Sequence, residues 1–188
     1  MPRSLNLSAR AGALKPSLTL AINARAKALR QEGRDICSLS AGEPDFETPS
    51  FIVDATIKAL RDGITRYGPA SGDPELREAI ASKLTQTNNI PTSLENVLVT
   101  NGGKQAIYNL FQVILNPGDE VIIPAPYWLS YPEIARLAGA KPKIFHTSPD
   151  KGFCLNPDEL EAVINSQTRL LIINSPGLSC TAVCKLSS

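Results

Sequence analysis

The sequence predicts an α/β protein on a mostly parallel, doubly wound sheet, with helices on both faces in three αβα layers. Three observations predict it. From about residue 73, helical and strand-like segments alternate. The strand-like runs VIIP (121–124) and LLII (170–173) are apolar at successive positions, as strands covered on both faces must be. The chain is 188 residues long, 43% hydrophobic and 20% charged, which is enough for one sizeable core.

The elements follow in order. In SLTLAINARAKALRQEG (17–33), Leu18, Ile22, Ala26 and Leu29 fall on one helical face. The same region is rich in Arg and Ser and has no acid before Glu32, a composition shared with transit peptides. GDPELREAIASKL (72–84) opens with Asp73 as N-cap and Pro74 at the first helical position, and Leu76, Ile80 and Leu84 then share a face. ENVLVTNGGKQ (95–105) is a β-branched run, expected to be a strand, that breaks at Asn-Gly-Gly. KQAIYNLFQVIL (104–115) spaces Ile107, Leu110, Phe111 and Ile114 for a helix, and NPGD stops it. EVIIPAP (120–126) is a strand, SYPEIARLAG (130–139) a helix closed by Gly139, and KPKIFHT (141–147) a strand. NPDELEAVI (156–164) is a helix capped by Asn156, and TRLLIINSP (168–176) a final strand.

Charge and cysteines narrow the function classes. There are 19 basic and 18 acidic residues, a net charge of +1, which argues against a nucleic-acid footprint or an anionic membrane surface. No apolar run reaches the roughly 18 residues of a membrane span. Cys180 and Cys184 form a lone C-x3-C with no histidine nearby, and Cys37 and Cys154 stand apart, so no metal site is expected. Reduced thiols and a cytoplasmic setting are expected. His146 is the only histidine, a poor basis for a catalytic triad, and is read as structural.

In a parallel sheet, ligands bind at the carboxyl ends of the strands. Three expected strands end in unusual turns there: TNGGKQ (100–105), APYWLSY (125–131) and NSPG (174–177). Gly102 and Gly103 let backbone N–H groups approach a ligand closely, and the helix start behind them favours an anion. The turn is therefore either a phosphate seat or a tight turn that binds nothing. It is neither a Walker A loop nor a dinucleotide fingerprint. Trp128, the only tryptophan, is either a plate for a flat ring or ordinary core. Together the two turns suggest a phosphorylated aromatic cofactor.

SLSAGEPDFETP (38–49), TRYGPASGDPELREAI (65–80), VTNGGKQAIYNLFQVILNPGDEVIIPAPYWLSYPE (99–133) and RLLIINSP (169–176) resemble the class I aminotransferases. These are fold-type I enzymes dependent on pyridoxal 5′-phosphate (PLP), and the bacterial aspartate aminotransferases are the group most resembled. The resemblance runs from about Leu14 to Gly177 and takes in the first helix, which removes the transit-peptide reading. It implies that Gly42 meets the substrate α-carboxylate through its backbone. It implies that Gly102, Gly103 and Lys104 hold the PLP phosphate, and that the Lys104 side chain meets a distal substrate carboxylate. It implies that Trp128 stacks on the pyridine ring and that Tyr67 reaches the phosphate of a partner subunit, hence a homodimer. The implied substrates are amino acids and 2-oxo acids, L-aspartate and 2-oxoglutarate first. The expected divisions are 1–45 (arm and part of a small domain), 46–177 (PLP-binding domain) and 178–188 (divergent tail).

The family pattern fails at the tail. After NSP the family has a further residue and then N-P-T-G, whereas here Leu178 stands at the cofactor-bonding Asn. The Schiff-base lysine lies further on in the family, and Lys185 lacks its S-x-x-K setting. No catalytic residue is therefore assigned. Residues 178–188 are read as codons from an interrupted frame. The chain alone is expected not to transaminate. A non-catalytic fragment that pairs with an intact subunit or misfolds, and another aminotransferase specificity, are the alternatives.

Overall fold

The computed structural model describes residues 6–14, 16–39, 42 and 44–174. The tail 178–188 and the NSPG turn from Ser175 onward lie outside them. The chain divides into two compact units, Met1–Gly42 with Ile107–Ser188, and Glu43–Ala106.

The larger unit holds helices α1 (Ala9–Gly12) and α2 (Leu18–Gln31). Ser17 caps α2 by accepting from Leu20 N–H at 3.3 Å, so the first amphipathic stretch is a helix as expected. Its Leu18 and Ile22 remain exposed and its Ala26 and Leu29 half-buried. After it come β1 (Glu120–Ala125), α6 (Ser130–Leu137), β2 (Lys141–His146), α7 (Pro157–Glu161) and β3 (Thr168–Leu171). The smaller unit holds α3 (Ser50–Arg61) and α4 (Pro74–Asn88), and α5 (Gly103–Ile114) crosses from one unit into the other.

The sheet order is β2-β1-β3, and both pairings are parallel. The chain steps from β1 to β2 and then back past β1 to β3, so the winding reverses. Successive apolar residues on β1 serve both directions. Val121 and Ile123 point to one face, where Phe111 and Leu115 of the α5 segment and Tyr131, Ile134, Ala135 and Ala138 of α6 bury them. Ile122 points to the other, where Phe145 and Leu155 pack with Leu160, Val163 and Leu171. The connection after β1 thus covers one face and the connection after β2 the opposite one. This is the doubly wound α/β arrangement expected from the alternation, and the glycine stop is where it was read: Gly139 (φ +84°) ends α6.

At the amino end of the strands, Glu120 accepts from Asn165 Nδ2 at 2.9 Å and from Lys143 Nζ at 3.4 Å, while Lys143 also donates to the Val163 carbonyl at 2.8 Å. The Asn165 amide, and then the Lys143 ammonium, hold the Glu120 carboxyl below its ordinary value against the opposing effect of desolvation. This network ties β1, β2 and the turn before β3 together at the end away from the candidate site.

In the smaller unit, Asp73 caps α4 through bonds from Glu75 N–H (2.9 Å) and Leu76 N–H (3.2 Å), as expected. Arg77 donates to the carbonyls of Val97 (2.8 Å) and Leu94 (2.7 Å), pinning the segment 94–97 to α4. The β-branched run after it differs from expectation. Residues 97–100 join no sheet ladder; Val99 N–H bonds only the Ser71 carbonyl, at 2.9 Å. A strand needs a neighbouring backbone along its length, and none of the described residues supplies one here. β3 likewise stops at Leu171, although Ile172 N–H still reaches the Ile122 carbonyl at 3.1 Å.

Candidate functional site

The turn 100–105 is held by its own polar groups. Thr100 Oγ1 donates to the Gly102 carbonyl at 3.0 Å, and Gly102 N–H returns a bond to the Thr100 carbonyl at 2.8 Å. Asn101 N–H donates to Gln105 Oε1 at 2.6 Å. Gly102 takes φ +82°, a left-handed conformation natural to glycine. Its carbonyl then accepts from Gln105 and Ala106 N–H at 3.2 and 3.4 Å, which starts α5. A Cβ at Gly102 or Gly103 would meet no heavy atom within 4 Å. The glycines therefore do not serve internal packing; they leave open space at the start of a 12-residue helix. First-turn amides of a helix are not consumed by its own ladder, and the helix dipole places positive potential there. Lys104 is exposed in the same first turn. Tyr67, in the same unit, is fully exposed.

The second group lies in the larger unit. β1 and β2 are parallel neighbours whose onward connections cover opposite faces, and their carboxyl ends share one edge of the sheet. Trp128 stands in the turn that leaves β1, at this edge. The indole is half-buried and meets Tyr131 edge-on, with ring centroids 5.4 Å apart and planes at 83°. Tyr131 N–H donates to the Trp128 carbonyl at 3.0 Å. Burial of Tyr131 pushes its phenol above the ordinary value, so the ring is neutral throughout the physiological range. On the strand side, Thr147 Oγ1 donates to the Ala125 carbonyl at 2.5 Å. The neutral choice between plate and core is thereby narrowed: Trp128 packs against the core cluster but is not one of its fully buried members.

Gly42 belongs to the same unit as Trp128, and a Cβ there would meet nothing within 4 Å. Gly102, Gly103, Lys104 and Tyr67 belong to the other unit, apart from α5's continuation. Of the third turn, Asn174 is exposed and Ser175–Gly177 lie outside the described residues. His146 ends β2 and is exposed, paired in register with Ala125. Cys37 and Cys154 are free thiols, and no cluster of three metal-ligating side chains occurs among the described residues. No helix among them is long and apolar enough to cross a membrane.

Sequence reasoning missed Tyr131 and Thr147. Tyr131 was legible as an aromatic three residues after Trp128 at a helix start, the spacing that brings side chains together. Thr147 is 22 positions from Ala125, and only the parallel register brings them together.

Residues 34–187 match the family model described as aminotransferase class I and II. The chain is 49% identical over 170 residues to the aspartate/prephenate aminotransferase of Thermus thermophilus, covering 90% of this chain and 44% of that protein. It is 45% identical over 172 residues to the aspartate aminotransferase of Bacillus subtilis, covering 92% and 44%. Among solved structures, the Thermus thermophilus aspartate aminotransferase with maleate superposes with a TM-score of 0.89 at 48% identity, covering 93% of this chain and 46% of that one. The chain spans less than half the length of these relatives.

Proposed function

Because the chain belongs to the class I and II aminotransferase family, we propose that it serves PLP-dependent amino transfer between L-aspartate, or a related amino acid, and 2-oxoglutarate. The observation that carries this reading is the open glycine cradle at the start of α5, where two positions lack any neighbour that a side chain would displace. In this reading Gly102 shapes the turn and the amides of Gly103 and Lys104 at the start of α5 hold the PLP phosphate. Trp128 is read on its own as a plate for a pyridine ring. PLP, when bound, supplies an electron sink that lets an amino acid lose its α-proton. The chain's own residues bind and orient. The helix start neutralises phosphate charge, the Trp128–Tyr131 pair keeps water from one ring face, Gly42 offers its backbone to an α-carboxylate, and the Lys104 ammonium recognises a distal one. A dicarboxylic substrate agrees with the maleate carried by the Thermus thermophilus structure. Prephenate, in the name of that organism's enzyme, is also a 2-oxo acid and is a second acceptor to test.

The proposal extends to organisation. Residues 1–45 form the arm and part of a small domain, 46–177 belong to the PLP-binding domain and 178–188 are a divergent tail, in a cytoplasmic protein. Tyr67, fully exposed here, reaches the phosphate of a partner subunit in a homodimer. The 188-residue polypeptide, tested by itself, is proposed to seat the cofactor without turning over. Incubation with PLP, L-aspartate and 2-oxoglutarate tests it: no glutamate is expected, and steady glutamate formation by the pure chain would overturn that part.

One observation favours a second role. Helix α3 leaves Phe51, Ile52, Val53, Ile57 and Leu60 exposed, and the smaller unit buries only Ala81 and Val97 among its described residues. An unpaired apolar face of this kind suits a non-catalytic chain that pairs with an intact subunit. Co-expression with a full-length relative distinguishes the cases: co-purification in a fixed ratio supports pairing, and sedimentation as aggregate supports misfolding.

A further inference from the structure

We propose that Thr147 is a positioning residue for Trp128. The Ala125 carbonyl is the last of β1 and the first anchor of the turn that carries the indole. The ladder between β1 and β2 ends at the pair Ala125↔His146. Beyond it, Thr147 N–H reaches that carbonyl only at 3.4 Å, a long contact, whereas Thr147 Oγ1 donates to it at 2.5 Å. The hydroxyl therefore holds the strand exit. Three residues later the other end of the turn is fixed, by Tyr131 N–H on the Trp128 carbonyl and by the Tyr131 ring against the indole. The turn that carries Trp128 is thus held at both ends, on α6 and just past β2, while the indole packs on the core cluster. The Thr147 hydroxyl, just past the carboxyl end of β2, fixes the exit of β1 from which the turn carrying the indole departs.

This inference deepens the reading of Trp128 as a ring plate and rests on it for its bearing on ligand binding. Thr147→Val removes the hydroxyl and keeps the branched shape and the backbone N–H. Thr147→Ser keeps the hydroxyl and removes a methyl. Because Trp128 is the only tryptophan in the chain, its emission reports this one turn without any ligand. Thr147→Val raises the population of the displaced turn about five-fold, the ratio set by one lost hydrogen bond of about 1 kcal/mol. Acrylamide then quenches Trp128 more strongly and its emission moves to longer wavelength, while far-ultraviolet circular dichroism keeps the native helix signal. Thr147→Ser retains native emission. A Thr147→Val chain with native emission and native quenching overturns the positioning role. So does a Thr147→Ser chain with a loosened indole, which keeps the test decisive even if the valine variant does not fold.

A second titration separates this from the plate reading. Pyridoxine 5′-phosphate, which has no aldehyde to react with surface lysines, quenches Trp128 in the unmodified chain and binds Thr147→Val up to about five-fold more weakly. An unmodified chain whose emission ignores pyridoxine 5′-phosphate overturns the plate reading and Thr147's part in binding, whatever the variants show.

Discussion

Gly102 separates a turn that folds from a turn that binds. At φ +82°, with open space around the position, alanine meets no clash, and its whole cost is backbone strain. That cost is roughly 1–2 kcal/mol for an L-residue held left-handed. For a chain of this size it corresponds to about 2–8 °C in Tm. Gly63 is the natural control, because it too is left-handed (φ +78°) with nothing within 4 Å of a Cβ, but it closes α3 and not the cradle. Gly102→Ala and Gly63→Ala should therefore lower Tm alike. They should differ in phosphate binding. A turn that relieves its strain by rotating the peptide withdraws an amide from the anion, and one charge-assisted bond of about 1.5–3 kcal/mol is roughly 10- to 150-fold in Kd. Thermal melts followed by pyridoxine 5′-phosphate titration read both quantities. If Gly102→Ala binds as tightly as Gly63→Ala, the amides of this turn do not hold the phosphate and the reasoning fails.

Other consequences concern stability. Asp73→Ala removes the side-chain cap of α4 and should cost about 1 kcal/mol, read as a lower urea midpoint at constant slope. Gly72→Ala places a Cβ 2.7 Å from Val99 Cβ and Cγ2 at φ +104°, so strain and overpacking combine to roughly 2–4 kcal/mol. Ile122→Ala hollows a position with no exposed surface and should cost about 2–5 kcal/mol in the same assay. Glu120 sets a pH dependence. Its folded pKa lies below its unfolded value of about 4.3, so its contribution is present above that value and is lost as pH falls through the lower folded one. Glu120→Gln should flatten this acid-side loss in melts taken downward from about pH 5; an unchanged profile would show that the carboxylate network does not contribute.

Much of the fold was legible because its signals are local. The alternation from residue 73, the caps Asp73 and Asn156 and the glycine at 139 each act within one turn of chain, and each stands where the pattern put it. The run VIIP announced two covered faces, and Val121 and Ile122 do face opposite clusters. The run 97–100 was misread because β-branching records a preference for extended backbone, whereas a strand also requires a partner that composition does not reveal. The predicted face of α5 was half right. Ile107 and Phe111 pack on the core, but Leu110 stays half exposed and Leu115 is buried instead. The break at Gly102 and Gly103 was readable from sequence as a tight turn into a helix, and the left-handed Gly102 at the start of α5 is that turn. The anchors of Trp128 were not, because Thr147 meets Ala125 through a register between strands separated by a helix.

The central claim is that the open glycine turn at the start of α5 seats the phosphate of a phosphorylated pyridine. Parallel calorimetric titrations of the intact chain with pyridoxine 5′-phosphate and with pyridoxine test it most directly. The expected result is saturable binding of the phosphorylated compound, competition by inorganic phosphate, and at least roughly tenfold weaker binding of pyridoxine, since the phosphate contributes charge-assisted bonds at the helix start. Equal binding of both compounds, or of neither, would contradict it.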